Sequence, residues 1–367
     1  MKSLKAKSGR IIRALTIFLA AQAMVAAAFA SNIHTVASTI PANGDVNPYG
    51  LVTVPATVGA LTQGNLLVTN FNNSANLQGT GTTIMQITPD GVVSQFAQIN
   101  ADTLPGNCPG GVGLTTALVA LKTGWVIVGS LPTTDGTSAT AKAGCLIVLD
   151  SSGTVVETFS GHGINGPWDM TAWDGGENVS LFVTNVLNGT VAAGGNIVNR
   201  GTVLRLNLTI ENGAMPTWIS TTRVGGGFSE KSDPAALVIG PTGVHLGGSA
   251  GTTLYVADSI NNRIASIANA IKRTTSAGTG ATVTMGGTLN DPLGLTVKPN
   301  GNIITVNGDD GFGLVSSPSG MQMSKVLLDS SGNPPGSGAL FGVTFVDGTG
   351  LYYVDDATNT LNLFSTP

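Results

Sequence analysis

The sequence predicts an all-β chain folded as a six-bladed β-propeller, each blade a meander of four antiparallel strands. Three observations carry that prediction: a motif that returns six times, turn residues that fill the gaps, and a strand count at the two ends that completes a ring. The motif is glycine, an aliphatic residue and usually threonine, then a turn, then an apolar run ending in Asn or Asp. It begins at Gly50, Gly113, Asp169, Gly243, Gly294 and Gly342, at intervals of 63, 56, 74, 51 and 48 residues. Four-stranded units with periods of about 40–50 residues are how propeller blades read in sequence. A parallel β-helix, the competing repeat fold, has shorter and more constant periods.

The first unit reads as strands over Gly50–Val54, Leu66–Asn70, Thr83–Thr88 and Val92–Gln98, with Pro89, Asp90 and Gly91 turning the last hairpin. Val, Ile, Leu and Thr fill the strands, while Gly, Asn, Asp and Pro fill the gaps. Only Glu230–Ile239 and Ile264–Lys272 have a helix-like pattern, and the second falls where its unit needs a third strand. The sixth unit supplies three strands, Gly342–Val346, Leu351–Asp355 and Thr360–Phe364. A spare strand, Ile33–Ile40, precedes the first unit. Three plus one makes a blade, so the N-terminal strand is expected to join the C-terminal blade and close the ring. Closure removes the sheet edges that would otherwise pair with other chains.

Composition limits what the chain can do. Of 367 residues, 51 are glycine and only 10% are charged, while 42% are hydrophobic. There is no basic patch, which argues against nucleic acid as a partner. Lys2, Lys5, Lys7, Arg10 and Arg13 precede an apolar run, Ala14–Phe29, and a small-residue site, Ala28-Phe29-Ala30. This is the anatomy of a signal peptide over residues 1–30, cleaved before Ser31. The run is short for a spanning helix, which needs about 20 residues. Residues 31–367 are then a single exported domain, periplasmic or extracellular, with no membrane contact and expected to be a monomer. Losing five positive charges takes its formal charge from −4 to −9. Two cysteines remain, Cys108 and Cys145, and in an oxidising compartment such a pair is expected to form a disulfide.

In a propeller the first strand of each blade lines the axis. The loops before it and after the second strand share one face. Residues that break the sixfold pattern there are the candidates for chemistry. In the ring Gly50, Gly113, Asp169, Gly243, Gly294 and Gly342, one blade places a carboxylate where the others have no side chain. Two residues on, Val52, Thr115, Thr171, His245, Thr296 and Thr344 contain one imidazole, in the blade beside Asp169. A third ring, at the ends of the second strands, is Asn70, Gly129, Asn185, Asp258, Asn307 and Asp355. Asp169 and His245 are therefore the candidate catalytic pair, expected to share a pocket at the channel mouth, where the carboxylate would raise the histidine pKa. Trp168, Asn70, Asn185, Asp258, Asn307 and Asp355 complete the candidate ligand-binding set. Asp169, Asn185 and Asp258 are the candidate metal ligands, for Ca2+ or Zn2+. The structural reading stands beside this one: Asn and Asp after a strand cap the next turn, and a channel histidine bonds to its neighbours.

Blade four carries a family resemblance. Thr242-Gly243-Val244-His245, then Leu254-Tyr255-Val256-Ala257-Asp258 and Asn261-Asn262-Arg263-Ile264, resembles an NHL repeat. Asp291–Val297 and Gly342–Asp356 hold weaker copies. The resemblance implies the NHL/gluconolactonase-like superfamily of six-bladed propellers, which includes calcium- or zinc-dependent lactonases, lyases and binding modules. The metal-binding Glu-Gly-Pro segment typical of the lactonases has no counterpart in Val46-Asn47-Pro48-Tyr49-Gly50, and Gly166-Pro167-Trp168-Asp169 offers its carboxylate later. With only His34, His162 and His245 in the chain, a histidine-rich lyase pattern is missing too. The expected function is binding of a small molecule or protein at the channel mouth, with a divalent-metal-dependent lactonase or hydrolase as the alternative.

Overall fold

A computed structural model describes residues 32–234, 236–248 and 250–365. The proposed signal peptide lies outside the described residues. Six antiparallel sheets form six blades. Blade one comprises β2 (Val46–Thr53), β3 (Leu66–Asn72), β4 (Thr83–Ile87) and β5 (Val93–Gln98); blade two comprises β6 (Leu114–Ala120), β7 (Val126–Ser130), β8 (Cys145–Leu149) and β9 (Val155–Phe159). Blade three holds β10 (Gly166–Asp174), β11 (Asn178–Val186), β12 (Val198–Thr209), β13 (Thr217–Asp233) and β14 (Leu237–Ile239). Blade four holds β15 (Pro241–Gly247), β16 (Thr253–Asp258), β17 (Arg263–Ile267) and β18 (Ala281–Met285); blade five holds β19 (Pro292–Val297), β20 (Ile303–Asn307), β21 (Phe312–Ser316) and β22 (Gln322–Leu327).

Blade six is β23 (Leu340–Val346), β24 (Gly350–Asp355) and β25 (Thr360–Ser365), completed by β1 (Ile33–Ser38). β1 pairs antiparallel with β25 from Ile33 opposite Phe364 to Ser38 opposite Thr360, so the ring closes as the strand count requires. Cohesion comes from the gaps between blades. Six buried apolar clusters occupy them, for example Leu67, Ile84, Val126 and Ile147 between blades one and two.

Two local features depart from the sequence reading. Glu230–Ile239 forms no helix: β13 runs on to Asp233, turns through Pro234 and returns as β14, pairing Lys231 with Ile239. This makes blade three five-stranded. The second departure is the register of blade two. In five blades the first strand bulges by one residue, as where Pro48 opposes Asn70 and Leu51 opposes Val68. In blade two Leu114 opposes Ser130 and Leu118 opposes Val128, one residue more. The true ring members are therefore Ala117, Val119 and Ser130, not Gly113, Thr115 and Gly129. Gly113-Leu114-Thr115 copies the motif four residues early. Gly129 is glycine to clear the wide bulge, since a Cβ there would lie 2.7 Å from both the Ala117 Cβ and the Thr115 hydroxyl.

Candidate functional site

The glycine ring is where innermost strands come closest. A Cβ on Gly294 would lie 1.9 Å from the Phe341 carbonyl, and one on Gly342 2.2 Å from the Tyr49 carbonyl. Asp169 occupies the equivalent place between blades three and four and makes the contact with its side chain. Its Oδ2 accepts the Val244 N–H of blade four at 2.9 Å and its Oδ1 accepts the Met170 N–H at 2.8 Å. Its own N–H donates to the Thr184 hydroxyl, which donates in turn to the Thr242 carbonyl. Burial pushes the Asp169 carboxyl up to about 7, against the two N–H groups that favour the carboxylate.

Asp169 and His245 line the same axial cavity, of about 210 Å³. Its wall is the ring Val52, Val119, Thr171, His245, Thr296 and Thr344, backed by the apolar residues that precede each. Among the described residues no hydrogen bond or ion pair joins Asp169 to His245. The imidazole Nδ1 lies 2.7 Å from the Leu246 carbonyl, and burial pulls its pKa down, with that carbonyl opposing. The expected rise is thus reversed, because desolvation acts on the ring and the carboxylate is turned to backbone donors. A neutral imidazole donating from Nδ1 keeps a lone pair on Nε2.

The cavity opens on the face opposite the one the sequence suggested. Pro55, Leu121, Lys122 and Asp174, just past the ends of first strands or at them, form its rim, where the Lys122 N–H donates to Asp174 Oδ2 at 2.7 Å. The loop-rich face is plugged. The residues one step before the ring point into a buried cluster, in which Tyr49 stacks on Phe341 at 3.9 Å and on Phe71 at 4.4 Å. Trp168, 2% exposed, packs beside Tyr49 and Phe341 and donates Nε1–H to the Val238 carbonyl at 3.1 Å. β14 seals the cluster with Leu237, Val238 and Ile239, all buried. Leu237 holds a left-handed φ of 63°, costly for a branched side chain and kept by the packing around it. Trp173, by contrast, is 39% exposed.

The strand-end ring is buried and engaged with neighbouring loops or, for Asp258, with an arginine. Asn185 Oδ1 accepts the N–H groups of Asn165 and Gly166, and its Nδ2 donates to Gly163. Asn307 Oδ1 accepts the Asn290 N–H, Asn70 donates to the Thr39 carbonyl, and Asp355 Oδ1 accepts the Thr358 N–H. Asp258 is ion-paired with Arg263 at 2.7 Å. Ser130, missed in sequence because of the register, does the same work in blade two: its hydroxyl accepts the Gly113 N–H and donates to the Gly111 carbonyl. Cys108 and Cys145 form a disulfide that ties the loop before β6 to the start of β8.

Metal chemistry finds few ligands here. Among the described residues no three His, Cys, Asp or Glu side chains converge. Asn185 and Asp258 are spent on a loop and an arginine, leaving Asp169 and His245 at the axis. A catalytic zinc site needs three protein ligands and calcium six or more oxygens. The residues present do not fit either ion.

No protein-family model matches the chain, and no curated protein matches it. Solved structures do. A gluconolactonase from Xanthomonas campestris superposes with a TM-score of 0.58 at 13% identity, over 91% of this chain and 89% of its own. A luciferin-regenerating enzyme gives 0.54 at 11% identity, over 91% and 95%. The virginiamycin B lyase of Staphylococcus aureus gives 0.50 at 12%, over 91% and 99%. Likeness at such identities speaks for architecture alone. The chain has the six-bladed β-propeller fold shared by gluconolactonase-like proteins.

Proposed function

We propose that this protein is an exported propeller that binds a small polar molecule in its axial cavity, with Asp169 and His245 as the recognising groups. One observation carries the reading. The two residues that break the sixfold pattern line one cavity, while the other polar residues of the strand-end ring are engaged by loops or an arginine. A cavity of about 210 Å³ is below the roughly 300 Å³ at which drug-sized pockets begin, so the ligand is of monosaccharide size or smaller. The neutral His245 offers Nε2 as an acceptor, and Asp169, poised near neutrality, offers a donor or an acceptor according to pH. Export is supported by the basic leader, the apolar run and the Cys108–Cys145 disulfide.

The test is calorimetry of the mature chain against monosaccharides, their lactones and the hydroxy acids these yield. Binding of one class, weakened at least tenfold in both Asp169→Asn and His245→Gln with folding retained, is the expected result. Equal affinity in the variants would overturn the reading. Lactone hydrolysis that tracks one equivalent of Ca2+ or Zn2+ would establish the metal-dependent lactonase instead.

A further inference from the structure

A second cavity, sharing no lining residue with the axial one, lies on the outer half of blade three. β12 and β13, of 12 and 17 residues, are the longest strands described. Arg200, Thr202 and Leu204 recur at every second position of β12, as do Thr221 and Arg223 on β13, and all five line a cleft of about 990 Å³. Residues two apart on a strand share a face, and Leu204 sits opposite Arg223. His162 and Asn188 reach the cleft from loops of the plugged face, and Ser276 from blade four.

The charge of this cleft is unusual for the molecule. No carboxylate lines it, although the mature chain is acidic. Other arginines nearby are committed: Arg205 donates to the Ala270 and Ile271 carbonyls, and Arg263 pairs with Asp258. The guanidinium groups of Arg200 and Arg223 make no hydrogen bond or ion pair among the described residues. Glu230, close enough to feel Arg200, accepts instead from the Asn188 N–H and Nδ2. His162 holds a left-handed φ of 51° and meets Trp218 edge-on, with 4.8 Å between ring centres.

We propose that this cleft binds an anionic saccharide, its oxyanion gripped by Arg200 and Arg223 and its hydroxyls met by His162, Thr202, Thr221 and Ser276. Two uncommitted guanidinium forks suit bidentate contact with a carboxylate or a phosphate. The volume is at the upper end for small-molecule pockets, which leaves room for more than one sugar ring.

The mature protein is titrated calorimetrically with trigalacturonate, with glucose 6-phosphate and with neutral maltotriose. Binding of one anionic probe and not maltotriose is expected, and which one binds separates carboxylate from phosphate recognition. Affinity should fall at least tenfold in R200Q/R223Q and stay within twofold in K325Q, which removes an exposed charge from β22 of blade five. Identical thermal melting of all three proteins guards against unfolding. Failure of both anions to bind, binding of maltotriose equal to theirs, or unchanged affinity in R200Q/R223Q would each overturn the proposal.

Discussion

The two halves of the propeller axis are built from adjacent residues of the same six strands, yet one is sealed and the other open. On the loop-rich side stand Tyr49, Trp168, Leu293 and Phe341, all buried. One step along come Gly50, Asp169, Gly294 and Gly342, and two steps further Val52, Thr171, Thr296 and Thr344 around the cavity. Large aromatic residues meet on the axis above the glycine ring and fill it. Small and β-branched residues below the ring cannot reach across, so a cavity remains. Side-chain size at successive positions thus decides which end of the channel is usable, and β14 reinforces the seal.

If that division is right, the plug carries stability and the cavity does not. The largest effect is therefore expected for Trp168→Ala, which removes a fully buried indole and leaves the Val238 carbonyl without its donor. Loss of an aromatic core side chain costs about 3–5 kcal/mol. Denaturant unfolding measures it, and a loss below about 1 kcal/mol would mean that the aromatic cluster does not hold the blades together. Thr296→Val in the cavity wall should stay within about 1 kcal/mol of the parent, since among the described residues the Thr296 hydroxyl makes no hydrogen bond to be lost.

The strand-end ring lies between these extremes. Asn185→Ala removes the acceptor of two N–H groups in the loop leading into blade three. Unsatisfied buried donors cost about 1–3 kcal/mol. The Asn185→Ala chain should therefore unfold at lower denaturant while its calorimetric affinity for the axial ligand is unchanged. A loss of affinity without a loss of stability would return Asn185 to the ligand-binding set.

The blades were legible in the sequence because strand alternation and turn residues repeat six times, so one ambiguous unit is corrected by the others. Ring closure was legible because it is a matter of counting. What escaped was local. The wider bulge of blade two is invisible because Gly113-Leu114-Thr115 satisfies the motif four residues too early, and only the pairing of Leu118 with Val128 exposes it. Asp169 and His245 stood out as departures from a repeat, and they do line one cavity. Their protonation was misjudged because a repeat gives proximity, whereas the direction of a pKa shift depends on where each polar atom turns. The Asp169 oxygens face Met170 and Val244 and the His245 Nδ1 faces Leu246.

That protonation gives a small expected effect and the sharpest test of the cavity. Asp169 titrates at about 7 in the folded chain and near 3.8 when unfolded. Between those values the folded protein keeps a proton that the unfolded chain has released, so stability falls as pH rises through the window and levels off above about 7. Glu230, Asp291 and Asp356, each raised by burial to about 7, and Asp355, raised to about 6, act in the same direction. His245 acts oppositely: its depressed folded pKa withdraws stability as pH falls below the ordinary 6.5. The carboxyl groups outnumber it, so the melting temperature should decline from pH 5 to pH 8. Asp169→Asn takes one titrating group out of that decline. It also turns an amide N–H2 toward the Met170 or Val244 N–H, so the variant is less stable at every pH. Its loss between pH 5 and pH 8 should nevertheless be smaller than the parent's by on the order of 1 kcal/mol, less than the full shift implies because the carboxyl borders an open cavity. Parallel curves for the two proteins would show that Asp169 stays ionised across the range, and that the cavity presents a fixed negative charge to its ligand.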